Sequence, residues 1–142
     1  MKKLNYFLMI VAIMIPFVVC NAQSTSQKSA NSPVVEVLYF HGPQRCKTCV
    51  ALEKATKEVL DTRFANDVKS GKVKFKEIDL NTKEGEKIGD KYEVAWSSLI
   101  IVRKDGKKEK IANLTDEGFR YAINNKVKIQ GLISDKINEF LK

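Results

Sequence analysis

Apolar residues run almost unbroken from Val34 to Phe40, the signature of a β-strand buried on both faces. His41-Gly42-Pro43-Gln44-Arg45 then forms a loop. From Lys47 to about Phe64 the apolar positions Val50, Leu52, Ala55, Val59, Leu60 and Phe64 fall on a broad helical stripe, and Ser70-Gly71 ends the segment. A second strand, Val73 to Leu80, sets Val73, Phe75 and Ile78 among lysines and Glu77, an imperfect alternation that leaves one face wetter. A short polar helix over about Lys83 to Tyr92 follows. Ser98 to Arg103 is the third strand, and Lys104-Asp105-Gly106-Lys107 joins it to a fourth, Glu109 to Leu114; Asp-Gly between two strand-like runs is a strong hairpin signal. Thr115 or Asp116 caps a closing helical region in which Phe119, Ile123, Leu132, Ile133, Ile137, Phe140 and Leu141 supply the buried stripe, divided at Gly131. The order is strand, helix, strand, helix, strand, strand, helix. A right-handed crossover pairs the first two strands in parallel, and the last two form an antiparallel hairpin at the other side, giving an α/β fold with a mixed four-stranded sheet flanked by helices. The chain has no internal repeat.

The first residues change the picture of where this domain works. Lys2 and Lys3 precede an apolar run from Leu4 to Val19, broken only by Asn5 and Pro16, which ends in Cys20-Asn21-Ala22-Gln23. This pattern reads as a bacterial secretory signal, residues 1–22, cleaved after Ala22. A rival reading lipidates Cys20 and anchors the domain to a membrane, although Phe17-Val18-Val19 lacks the small residue that usually precedes a lipidated cysteine. A retained span is disfavoured because the run is shorter than the roughly 20 residues a crossing needs. Residues 23–33, rich in Ser, Gln, Asn and Thr, form a flexible leader, and 34–142 form one domain. The expected location is therefore exported and periplasmic. Of the 142 residues 25 are basic and 17 acidic, and losing Lys2 and Lys3 lowers the net charge from +8 to +6. The lysines are scattered without interleaved aromatic residues, which argues against nucleic acid and leaves only weak, salt-dependent attraction to acidic proteins or anionic lipid.

Candidate chemistry centres on Cys46-Lys47-Thr48-Cys49, placed where the first strand gives way to a helix. At a helix start the unpaired backbone N–H groups and the macrodipole favour negative charge, so Cys46 can be held as a thiolate, the form that attacks disulfides. Cys49, three residues on, lies on the same helical face, within reach to resolve a mixed disulfide. Arg45, Lys47 and His41 are cations or potential cations beside Cys46, and each would lower its pKa and make the pair more oxidising. The competing reading is a structural disulfide in an exported domain. His41, the lone histidine, also fits a loop residue bonded to backbone; Trp96 fits packing near the site, Ser98 an ordinary loop residue, and Tyr39 and Phe40 the core.

Tyr92-Glu93-Val94 leading through Ala95-Trp96-Ser97-Ser98 into Leu99-Ile100-Ile101-Val102 and Lys104-Asp105-Gly106, together with the CxxC motif after the first strand, resembles the thioredoxin superfamily over nearly all of residues 34–142. The resemblance implies a thioredoxin-like sheet with helices on both faces, Cys46 as an exposed nucleophile, Cys49 as a buried resolving thiol, and kinship with exported bacterial thioredoxin-like proteins whose substrates are other proteins' disulfides. It implies no cofactor. Three departures stand out. The position of the family's cis-proline, facing the active-site sulfurs, is held by Ser98, where a trans peptide is the default because the cis form costs about 3 kcal/mol before a non-proline residue. Tyr39 replaces the buried acid that many members use as a proton relay. Lys47-Thr48 lacks the usual proline, and the chain has no room for thioredoxin's extra leading strand and helix, which leaves a core nearer to glutaredoxin in extent.

The expected function is an exported thiol–disulfide oxidoreductase acting on protein thiols and disulfides, recycled by a membrane or periplasmic redox partner. The alternative is a thioredoxin-fold metal-binding or non-catalytic interaction module. Loss of the proline opens the thiols to metal, but a closed zinc site needs four ligands and two thiols with one imidazole fall short.

Overall fold

The computed structural model describes residues 33–142. The signal segment, Cys20 and all of the leader but Pro33 lie outside the described residues. Chain order runs β1 (Val34–His41), α1 (Lys47–Arg63), α2 (Ala65–Ser70), β2 (Val73–Asp79), α3 (Lys83–Lys91), β3 (Ser98–Asp105), β4 (Lys108–Asn113), α4 (Thr115–Tyr121) and α5 (Lys126–Leu141).

The strands form one mixed sheet in the order β2-β1-β3-β4. β1 pairs in parallel with β2, from Val35 opposite Val73 to His41 opposite Asp79. It pairs antiparallel with β3, from Val34 opposite Lys104 to Phe40 opposite Ser98, and β4 returns along β3. This is the α/β architecture expected from the sequence, with helices on both faces. Asp105 pairs with Lys108, so the hairpin turn is Gly106-Lys107, and Gly106 takes the positive φ of 59° that its first position demands.

Alternation along the central strands divides the core in two. Val35, Val37, Tyr39, Leu99 and Ile101 face α1 and α5, where Leu52, Ala55, Val59, Ile129, Ile133, Ile137 and Phe140 complete the larger cluster. Leu38, Phe40, Ile100 and Val102 face the other way, against Ile78, Val94 and the partly buried Ile88 and Tyr92 around α3. Both central strands are therefore apolar on both faces, which explains their unbroken runs.

The helix after the CxxC motif ends at Phe64, whose backbone leaves helical geometry (φ −123°, ψ 18°) while its ring stays in the core; α2 follows and ends on the left-handed Gly71. Four local expectations give way. Val50, assigned to the buried stripe, is 47% exposed. The closing helical region divides at residues 122–125 and not at Gly131, because the Asn125 side chain caps α5 by accepting from the Lys128 amide. Phe119 and Ile123 lie outside the core: α4 turns small residues inward, and Gly118 packs so closely on Leu52 that an added Cβ would sit 2.6 Å from its Cδ2. The cap of α4 also differs, for Leu114 occupies the position without a side-chain bond; Asn113 accepts from the Thr115 amide, and the Thr115 hydroxyl accepts from the Leu99 amide.

Candidate functional site

β1 ends at His41, and the loop that follows delivers Cys46 to the N-cap of α1 with extended backbone (φ −71°, ψ 160°). Cys46 and Cys49 are joined as a disulfide, their Cα atoms 5.1 Å apart. The Cys46 Sγ accepts a hydrogen bond from the Cys49 amide at 3.1 Å, one of the N–H groups that the helix leaves without a partner in its first turn. No acidic residue occupies that first turn, so nothing there opposes negative charge on the sulfur. The two cysteines differ sharply in access: Cys46 is exposed, whereas Cys49 is 5% exposed.

Tyr39 anchors the buried side of the motif. Its ring lies in the core and its hydroxyl donates to the Cys49 carbonyl at 2.8 Å. Burial pushes its pKa from 10.0 up to about 12, with Glu53 and Glu77 adding to the effect and Arg45 and Lys57 opposing it. A residue read from sequence as core is thus also tied to the redox motif.

Arg45 does not stand as a free cation beside Cys46. Its guanidinium bonds Glu53 through Nη1 at 3.0 Å and Glu77 through Nη2 at 2.6 Å, and lies 5.8 Å from the Tyr39 ring centroid. Lys57 closes the ring of charges, meeting Glu53 and, at 3.1 Å, Glu77. His41 Nε2 stands 3.6 Å from Glu77, while its Nδ1 is 3.1 Å from the Gly42 carbonyl oxygen. Burial alone would raise the Glu77 pKa, but the bonds from Arg45 and Lys57 outweigh it and hold the carboxyl below its ordinary range. The hydrogen bond to Glu53 raises the Lys57 pKa; the Arg45 value also rises, its bond to Glu77 and attraction to Glu53 overcoming desolvation.

The remaining sequence-predicted residues are less engaged. Lys47 is exposed and Thr48 half-buried. Ser98 is buried opposite Phe40, its hydroxyl donating to the Trp96 carbonyl at 3.0 Å, and no cis peptide occurs among the described residues. Trp96 is 70% exposed, which makes it no part of the core. Sequence reasoning passed over Glu53, Lys57 and Glu77. Glu53 and Lys57 stand four apart on α1, a spacing that announces a pair; their meeting with Arg45 and Glu77 depends on how β2 lies beside α1. Among the described residues no group of three or more His, Cys, Asp and Glu side chains is arranged to hold a metal ion.

Comparison with known proteins adds likenesses of low identity. No protein-family model and no curated protein matches the chain. Among solved structures, a thioredoxin from Thermus thermophilus is 15% identical, with a TM-score of 0.42, over 70% of this chain and 73% of that one. A structure described as that of a malarial protein is 16% identical, with a TM-score of 0.38, over 66% of this chain and 98% of that one. The fold assignment rests on the strand order and register described above. A CxxC pair on this α/β frame, one sulfur exposed and one buried, is a dithiol–disulfide couple, and the chemistry it supports is of the redox type.

Proposed function

We propose that this protein is an exported thiol–disulfide oxidoreductase that acts on protein disulfides through Cys46 and Cys49. The observation that carries the reading is the exposed Cys46 sulfur at the N-cap of α1, receiving the Cys49 amide and linked to a buried partner. In the reducing direction the Cys46 thiolate attacks one sulfur of the substrate disulfide. A mixed disulfide forms and one substrate thiolate leaves. Cys49, deprotonated, attacks the Cys46 sulfur, releases the second substrate thiolate and leaves the Cys46–Cys49 disulfide, so two electrons have passed to the substrate. Run backwards, the same steps oxidise a substrate dithiol. Export is supported by the sequence of residues 1–22, and a membrane or periplasmic partner would return the pair to its starting state.

Cys46→Ser is expected to abolish exchange with model disulfides, and Cys49→Ser to accumulate a mixed disulfide on Cys46. Full activity in the Cys46 variant would sink the mechanism. The direction of electron flow follows from equilibration with glutathione, read by alkylation and mass: a potential near the thioredoxin end, roughly −270 mV, marks a reductant, and one near −120 mV a disulfide donor. A pair that fails to open reversibly would be structural, and the domain an interaction module.

A further inference from the structure

We propose that Glu53 and Glu77 are positioning residues that set the acidity of Cys46, by holding the Arg45 guanidinium in a charge-balanced cage that withholds its positive charge from the thiolate. This rests on the reading of Cys46 as the reactive thiol and adds what regulates it.

The cage is built from three elements. Arg45 adjoins Cys46 in the chain; Glu53 and Lys57 project from α1 one and two turns beyond Cys49; Glu77 comes from β2. Two cations thus meet two carboxylates, and each carboxylate touches both cations. Glu53 is the more enclosed, its side chain 12% exposed, so its charge is weakly screened and needs those partners. The other groups facing the cluster are His41 and the neutral Tyr39 hydroxyl from β1, and Asp79 at the end of β2, which is occupied by the Asn81 backbone and side-chain N–H groups at 2.9 Å. Lys47, exposed, projects from the first turn of α1. The amide bond to Cys46 Sγ and the helix terminus remain the stabilisers of the thiolate, while the guanidinium of the adjoining Arg45 is balanced by two carboxylates. The bonds from Arg45 and Lys57 hold the Glu77 carboxyl below its ordinary range, which favours its charged form in the cage.

Charge balance predicts effects of opposite sign. Glu77→Gln or Glu53→Gln leaves one cation unmatched, so the Cys46 pKa falls and the thiolate fraction below that pKa rises, by about three- to tenfold for one unmatched charge beside the motif. Arg45→Gln leaves a carboxylate unmatched and moves the pKa up by a similar factor. The measurement is the pH profile of alkylation of Cys46 in the chemically reduced protein, with the glutathione equilibrium constant as the second readout. It should favour the reduced pair in the Glu variants and the disulfide in the Arg variant. Glu77→Gln is nearly isosteric at a partly exposed site and gives a second route if Glu53→Gln unfolds. Shifts of one sign in all three variants, or none, would mean the cluster only braces the loop and would overturn the proposal. Failure of the wild-type protein to exchange with model disulfides would instead remove the redox reading, while the pKa pattern would still decide the cage.

Discussion

At the scale of single residues, Tyr39 joins structure to chemistry. Its hydroxyl gives the Cys49 carbonyl, already bonded within α1, a second hydrogen bond at 2.8 Å, which Tyr39→Phe removes. The loss should be about 1 kcal/mol in urea unfolding at neutral pH. The burial of the same hydroxyl predicts an alkaline limb. The folded pKa of about 12 exceeds the ordinary 10.0, so the folded state keeps a proton that the unfolded chain releases. This contribution is complete below pH 10.0, declines above it and is gone once the pH passes about 12. Tyr39→Phe should therefore be less stable than wild type near neutrality yet lose less between those limits. Equal slopes in both proteins would show that Tyr39 titrates alike folded and unfolded.

At the scale of elements, glycines distinguish helices that have room from those that do not. Gly131 lies inside α5 with nothing within 4 Å of an added Cβ, so Gly131→Ala should stabilise by about 0.5–1 kcal/mol through the conformational freedom it removes from the unfolded chain. Gly85 sits in the first turn of α3, where a Cβ would fall 1.9 Å from the Asp79 carbonyl oxygen. Gly85→Ala must push α3 off β2 and should cost about 2–3 kcal/mol. Thermal melts check both, and stabilisation by Gly85→Ala would contradict the packing. These two glycines also mark what the sequence made legible. The strands were readable because β1 and β3 are buried on both faces and composed accordingly, and the CxxC motif was readable because a strand and a helix bracket it. Gly131 suggested a helix break because glycine is a poor helix former, but the Asn125 cap and the inward Ile129, Ile133 and Ile137 hold α5 continuous across it. Phe119 and Ile123 suggested core by hydrophobicity; the close approach of Gly118 to Leu52, invisible in a single helix's periodicity, decided which side of α4 faces inward. The Arg45 cage was hidden for the same reason, since its members come from α1, β2 and the loop between β1 and α1.

At the scale of the molecule, the two faces of the sheet are unequally supported, and the site belongs to the stronger. The larger cluster locks β1 and β3 against α1 and α5, whereas α3 fully buries only Gly85 and Gly89 and contributes Ile88 as a partly buried contact. Where α3 gives no cover, Glu36 on the same face is enclosed by Lys76 at 2.9 Å and Lys104 at 2.7 Å, a charged substitute for a helix. Local unfolding follows buried apolar contact, so α3 should open by itself at a free energy well below that of the whole domain, while amides of β1, β3 and α1 exchange only through global unfolding. Native-state hydrogen exchange in low denaturant measures this directly. Cys46 and Cys49 ride on α1 and are tied through Tyr39 to β1, so opening of α3 should leave the thiols undisturbed. Ile88→Ala is the sharper form of the test: it should speed exchange within α3 while leaving the alkylation rate of Cys46 in the reduced protein unchanged. If that rate changed in step with α3 opening, the two faces would form one cooperative unit and the site would depend on both.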